Sequence, residues 1–326
     1  MINSQFSKIV ATGGYLPGKP VSNNELVNSL SKYGVETTNE WIKERSGIEF
    51  RHISNKEMTY ELAVEAAKDA LSNSDINYSD IDLIIVATTT PDRLFPSVAC
   101  HVQKSLGIKN CPAFDVQAVC SGFVYALSIS DMFIKSNNTK CALVIGSERL
   151  SRIINWKDRT TCVLFGDGAG AVIVKKSSEP GILNFSLNAD GYQNDILNAP
   201  AYFDQGKIEG FPFIKMEGKE VFKKAVDVLS KNAIDILENS KILSKDINWY
   251  IPHQANIRIM KTVGKKLGLP SNKMIQTVNI HANTSAASIP LALNLGFKDG
   301  RIKKGDTVLL QGVGGGFTWG SVLFIV

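Results

Sequence analysis

Apolar positions follow two rhythms along this chain. Ile81-Asp-Leu-Ile-Ile-Val-Ala87 and Ala142-Leu-Val-Ile-Gly146 are short, nearly unbroken apolar runs, the pattern of strands covered on both faces. Phe6–Tyr15 reads as a further strand that runs into the Gly13-Gly14 turn. Between such runs the apolar spacing widens to three and four. Thr59–Ser72 places Leu62, Ala66, Ala67, Ala70 and Leu71 on one side of a helix that Thr59 can cap. Ser22 with Glu25 marks another helix start, Thr38–Arg45 a short helical piece and Ser97–Leu106 a further helix. Cys162–Val174 predicts a strand, a glycine turn and a strand.

The order then repeats. A long amphipathic helix is predicted from Lys219 to Glu238, a strand over Ile247–Pro252 and a helix over Ala255–Leu267. Asn279–Ala287 is a run of small residues leading into an Ile289–Leu295 helix, as Pro112–Phe123 leads into Phe123–Ile134. Thr307–Leu310 answers 142–145, and Gly312–Val326 answers 166–174. Alternating strands and helices predict an α/β fold with parallel strands. A repeat of half the chain predicts two similar halves, 1–175 and 176–326, with the 120 and 283 turns facing across a cleft.

Composition narrows the class. The 326 residues are 44% hydrophobic and 21% charged, ordinary for a globular enzyme with a sizeable core. A net charge of +5 is too small for a nucleic-acid binder, though it leaves room for a basic patch that meets an acidic partner. Five cysteines without a C-x-x-C pair read as reduced thiols in a cytoplasmic protein, with no metal site. Met1–Lys8 lacks the pattern of a secretory leader, and no apolar run has the length of a membrane span.

Three residues carry candidate chemistry. Cys120 follows a strand and precedes a helix, where unpaired amides and the helix dipole would lower a thiol pKa and hold an oxyanion. Cysteine is as often a small buried hydrophobe. His253 ends the strand in Tyr250-Ile-Pro-His-Gln-Ala-Asn256, and Asn283 sits in the small-residue turn. A structural histidine and a helix-capping asparagine are the ordinary readings of those two. Together, a sulfur nucleophile, an imidazole and a carboxamide suit thioester condensation. Gly166-Asp-Gly-Ala-Gly170 is not a dinucleotide fingerprint, because its spacing is wrong and a strand follows it.

Ala118-Val-Cys-Ser-Gly-Phe123, Pro252-His-Gln-Ala-Asn256, Asn283-Thr-Ser-Ala-Ala-Ser-Ile-Pro290, Phe165-Gly-Asp-Gly-Ala-Gly170 and Gly314-Gly-Gly-Phe-Thr-Trp-Gly320 together resemble the β-ketoacyl-acyl-carrier-protein synthase III family. The resemblance spans nearly the whole chain. It implies a thiolase-like five-layered αβαβα sandwich, usually a homodimer, that condenses a short acyl-CoA primer, acetyl-CoA in the first instance, with malonyl-acyl-carrier protein. It implies Cys120 as the acylated nucleophile, the amides of Cys120 and Gly315 as the oxyanion hole, and His253 and Asn283 as donors to the enolate. It also implies coenzyme A contacts at Trp41, Arg45 and Arg159, and an acyl-pocket residue, Phe95, reaching across the dimer. Lys223, Arg258, Lys265 and Lys266 would dock the carrier protein; by themselves they read as a solvated basic face. No cofactor is implied, coenzyme A being part of the substrate.

Lys219 and Val313 depart from the family pattern, which bears on primer and pantetheine contacts; His281 departs too, with no clear consequence. Three other readings compete: a condensing enzyme of the same fold with a longer, branched or aromatic primer, a non-catalytic partner subunit, and a thioester hydrolase. The presence of Cys120, His253 and Asn283 argues against the partner subunit.

Overall fold

The computed structural model describes residues 6–326; residues 1–5, part of the segment read for a leader, lie outside the described residues. Two sheets are built to one plan. The first has the order β1-β7-β6-β4-β5, formed by β1 (Phe6–Tyr15), β4 (Leu83–Ala87), β5 (Ala113–Val116), β6 (Cys141–Glu148) and β7 (Gly168–Ser177). The second has the order β13-β14-β15-β8, from β8 (Ile182–Ala189), β13 (Trp249–Pro252), β14 (Thr307–Gly314) and β15 (Thr318–Ile325). In each, one side of the sheet is antiparallel and the other parallel: β4 pairs in parallel with β5 and β6, and β13 with β14, while the remaining neighbours are antiparallel. Every residue of β4 and β6 is buried, as an apolar run sandwiched between helices requires.

The helices supply three further layers. α3 (Thr59–Ser72) and α4 (Val98–Leu106) cover the outer face of the first sheet. α7 (Gly218–Asn239) and α8 (Ile257–Lys266) cover the outer face of the second. α5 (Gly122–Lys135) and α10 (Ser288–Lys298) lie between the sheets and touch both. The result is the five-layered αβαβα sandwich, with the central apolar cluster running from Leu83 and Ile85 through Phe123 and Leu127 to Leu293, Leu310 and Phe324.

The two turns that enter the central helices are seated on the opposite half. A Cβ on Gly146 of β6 would lie 2.2 Å from the Ala286 carbonyl oxygen, and one on Gly312 of β14 would lie 2.8 Å from the Ser121 Cα. Only glycine permits that approach. The turns also share a strained residue, Val119 at φ +47° and Ser285 at φ +48°. Alignment on that residue makes Ala286 the counterpart of Cys120, and Gln117 the counterpart of Asn283.

Each half also carries an excursion between its first strand and first outer helix. In the first half it holds α1 (Asn23–Leu30), α2 (Asn39–Ser46) and the β2–β3 pair (Val21–Ser22 with Phe50–Arg51). The Ser22–Glu25 capping box forms as the sequence predicts. In the second half it holds the β9–β12 pair (Leu197–Asn198 with Lys215–Met216) and the β10–β11 hairpin (Ala201–Asp204 with Lys207–Gly210).

Four local expectations change. Gly13 and Gly14 make no turn but stay within β1, paired with Ala171 and Gly170. Residues 162–165 are not a strand. Asp158 caps the one-turn helix α6 (Arg159–Cys162) by accepting from the Thr160 amide, and only Phe165 makes a strand-like bridge, to Asn283. Met58 rather than Thr59 occupies the N-cap of α3, because the Thr59 hydroxyl instead donates to the Thr90 carbonyl at 2.6 Å. Cys120 precedes α5 by two residues, inside the Val119–Ser121 3-10 turn.

Candidate active site

Cys120, His253 and Asn283 border one cavity of about 610 Å³, although any two of them are at least 30 positions apart in sequence. All three are buried, with 5%, 4% and 7% of their surfaces exposed. Their walls come from both halves: Thr89 and Thr90 after β4, Leu164 and Phe165 after α6, and Leu197, Ile214 and Met216 from the second excursion. The lining is largely apolar, which suits an acyl chain.

His253 is held at its backbone and at one ring nitrogen. Its amide donates to the Gln311 carbonyl at 2.7 Å, and its Nδ1 lies 2.6 Å from the Ser288 Oγ. Burial pushes its imidazole down to about 3, so the ring is neutral at physiological pH. Asn283 is held by the loop after α6: its amide donates to the Leu164 carbonyl at 3.0 Å, and its carbonyl accepts from the Gly166 amide at 3.0 Å. The Ser285 amide donates to Asn283 Oδ1 at 2.9 Å. That contact identifies the oxygen end of the side chain and leaves its NH₂ for the cavity.

Cys120 departs from the sequence argument. Burial, with a smaller contribution from the nearby Glu148 carboxyl, pushes its thiol up to about 12, while a hydrogen bond with Ser285 pulls the other way. The direction is set by desolvation, opposite to the lowering expected of a helix N-terminus. Glu148 itself was not anticipated. It is fully buried and accepts from the hydroxyls of Thr89 at 2.9 Å, Thr90 at 2.6 Å and Ser285 at 3.0 Å. It ties the Thr89–Thr90 wall to the Asn283 turn. An acid ending the apolar run Cys141–Glu148 was the available signal.

The remaining predicted residues fall into separate places. Gly315 is buried against the Leu197 carbonyl, and its neighbour Gly314 borders the cavity. Val313 lines the cavity too, whereas Lys219 is exposed in the first turn of α7. The Arg159 guanidinium stacks on Trp41, 4.6 Å from its ring centre, and donates to the Glu36 carbonyl at 3.1 Å. This pair lines a groove apart from the cavity; no gap for an adenine lies between the two side chains as they stand. Arg45 is exposed at the end of α2, and its carbonyl accepts from the Asn256 side chain at 2.9 Å. Phe95 is 82% exposed beside exposed Leu94, outside its own chain's cavity lining. Lys223, Arg258, Lys265 and Lys266 are all exposed on α7 and α8, with Arg258 over the Phe222 ring at 5.7 Å. His281 is buried beside His52, and desolvation followed by His52 pushes it down to about 4.

Among the described residues no cluster of His, Cys, Asp and Glu could hold a metal ion, and no helix is long and apolar enough to cross a membrane. The family profile of 3-oxoacyl-[acyl-carrier-protein] synthase III matches residues 114–191, and that of its C-terminal part matches residues 237–326. The chain belongs to the 3-oxoacyl-[acyl-carrier-protein] synthase III family. It is similar to the synthase III of Aquifex aeolicus VF5 at 43% identity, over 98% of this chain and 100% of that one, with a TM-score of 0.91. The synthase III of Pseudomonas aeruginosa PAO1 is 35% identical over 98% of each chain, with a TM-score of 0.91. The priming β-ketosynthase of the R1128 polyketide pathway is 32% identical over 98% of this chain and 96% of that one, again with a TM-score of 0.91. The chain is accordingly an acyltransferase of the condensing-enzyme class with a thiolase-like fold.

Proposed function

We propose that the protein condenses a short acyl-CoA primer, acetyl-CoA first among them, with malonyl-acyl-carrier protein through an acyl-cysteine. The observation that supports this most is the convergence of Cys120, His253 and Asn283 on one apolar cavity. Cys120 sulfur attacks the primer carbonyl, the carbon–sulfur bond to coenzyme A breaks, and the thiol proton ends on the departing sulfur. The amides of Cys120 and Gly315 would hold the oxyanion. Malonyl-carrier protein then enters and loses carbon dioxide. The resulting enolate attacks the acyl carbon and releases Cys120. His253 Nε2 and the Asn283 NH₂ donate to the enolate oxygen. No metal or redox cofactor enters these steps.

Trp41, Arg45 and Arg159 receive coenzyme A in this reading, with the Trp41–Arg159 stack opening for the adenine. Lys223, Arg258, Lys265 and Lys266 meet the acidic carrier protein. The protein works as a cytoplasmic homodimer, in which the exposed Phe95 closes the partner's acyl pocket, and its halves divide close to 175/176, at the end of β7.

Intact-protein mass spectrometry with a panel of acyl-CoAs, chased with malonyl-carrier protein, tests the reading. A Cys120 adduct from acetyl-CoA that is discharged as a 3-ketoacyl product is expected. Adducts from longer or branched primers alone would favour a priming synthase of another pathway, as the R1128 relative's description suggests for that protein. An adduct lost to water without carbon–carbon bond formation would make the protein a hydrolase.

A further inference from the structure

The contact between His253 and Ser288 decides more than orientation. Ser288 is the first residue of α10 and is 1% exposed. Its hydroxyl has two polar neighbours among the described residues. The Gln254 amide donates to Oγ at 3.3 Å, and His253 Nδ1 stands 2.6 Å away. Gln254 cannot turn to offer anything else. Its side-chain NH₂ donates to the carbonyls of Pro252 at 2.6 Å and Ile275 at 3.2 Å, and its Oε1 accepts from the amides of Thr277 at 2.8 Å and Val278 at 3.1 Å. A hydroxyl carries one proton. Were Nδ1 to hold the imidazole proton and donate it to Oγ, the buried Ser288 proton would have no acceptor. With the hydroxyl donating to Nδ1, every group is satisfied, and the imidazole proton stands on Nε2.

We propose that Ser288 is a positioning residue that holds His253 in the Nε2–H tautomer, so that His253 meets substrate as a hydrogen-bond donor and is not the base that takes the Cys120 proton. This rests on the reading of His253 as donor to a thioester or enolate oxygen, and it adds the residue that makes it one. The neutral state of the buried ring agrees with a hydroxyl donating to Nδ1.

The test is a long-range ¹H–¹⁵N correlation spectrum of the full-length enzyme labelled with ¹⁵N-histidine. The chain has four histidines, and a His253→Gln sample assigns the signal of interest. A pyrrole-type Nε2 and a pyridine-type Nδ1 at neutral pH are expected in the wild type; the reverse pattern overturns the proposal. Ser288→Ala should lose the single tautomer and slow the decarboxylation and condensation step by roughly 10- to 100-fold, with acylation changed less. Ser288→Thr, which returns the hydroxyl, should recover the Nε2–H signature. A Ser288→Ala enzyme that keeps both that signature and its rate would show that Ser288 is not the cause. If Ser288→Ala does not fold, the wild-type and Ser288→Thr spectra still decide. A wild type with the Nε2–H signature that forms no carbon–carbon bond would refute the condensation reading and leave the tautomer assignment standing.

Discussion

The first half completes its sheet with β5, which pairs in parallel with β4 and delivers the chain to Cys120. In the second half the matching position next to β13 shrinks to a single parallel bridge, Tyr250 with Met274, before the chain reaches Asn283. The excursions differ in the same sense. That of the first half holds α1 and α2 and carries Trp41 to an outer groove, while that of the second wraps Leu197–Met216 over the cavity. At the turns themselves, the place filled by Cys120 in one half is filled by Ala286 in the other. One framework therefore supplies a sulfur from one side and hydrogen-bond donors from the other. The lesson is that a duplicated fold can bring unlike chemical groups to one cavity by changing side chains on turns whose backbone it keeps.

The strongest way to break that division is to remove one side at a time. Cys120→Ala should reduce acylation by acyl-CoA to background in intact-mass assays while leaving slow malonyl decarboxylation, which needs only the second half. His253→Ala or Asn283→Ala should do the converse, lowering condensation by on the order of 10²–10³ and acylation much less. Equal loss of both steps in all three variants would end the division of labour.

The seats of the turns offer a cross-check. Gly146→Ala pushes a methyl into the Ala286 carbonyl, so a change in the first half should damage the Asn283 turn of the second. We expect a loss of about 1–3 kcal/mol, the usual range for overpacking, and a condensation step impaired more than acylation. Thermal unfolding and single-turnover assays would measure both. Gly312→Ala should invert the pattern, since it strikes Ser121 beside the nucleophile.

The basic face belongs to the second half alone. Arg258→Glu or Lys265→Glu should raise the apparent KM for malonyl-carrier protein several-fold, an effect that shrinks as salt is added, while acylation by acyl-CoA changes little. Equal weakening of both half-reactions would remove the docking role.

The smallest effect concerns pH. Because burial holds the Cys120 thiol up at about 12, the neutral thiol predominates below that value, and the thiolate fraction grows about tenfold per pH unit. Alkylation of the ligand-free enzyme by iodoacetamide should therefore keep rising without a plateau to about pH 10. A plateau near neutrality would mean that the helix N-terminus outweighs desolvation.

Much of the framework was legible in the chain. Apolar runs located β4, β6 and β14 and amphipathic spacing located α3, α7 and α8, because burial and period are local properties of a sequence. The repeat pointed to two similar halves, and the motifs around Cys120, His253 and Asn283 located the three candidates. What remained hidden depended on distant neighbours. The 162–165 strand failed because Asp158 caps a helical turn there and Asn283 takes the one available bridge. The depressed thiol pKa failed because a helix terminus can be read from adjacent residues, whereas desolvation is imposed by walls from both halves. Glu148 and Ser288 acquire their roles only through hydrogen bonds to partners 34 to 137 positions away. The sequence by itself determined the elements, their order and the residue types able to do thioester chemistry, since those follow from local pattern. The tertiary structure alone decided which atoms of those residues face the cavity and in what protonation state, since burial and hydrogen-bond satisfaction are set by what the fold brings into contact.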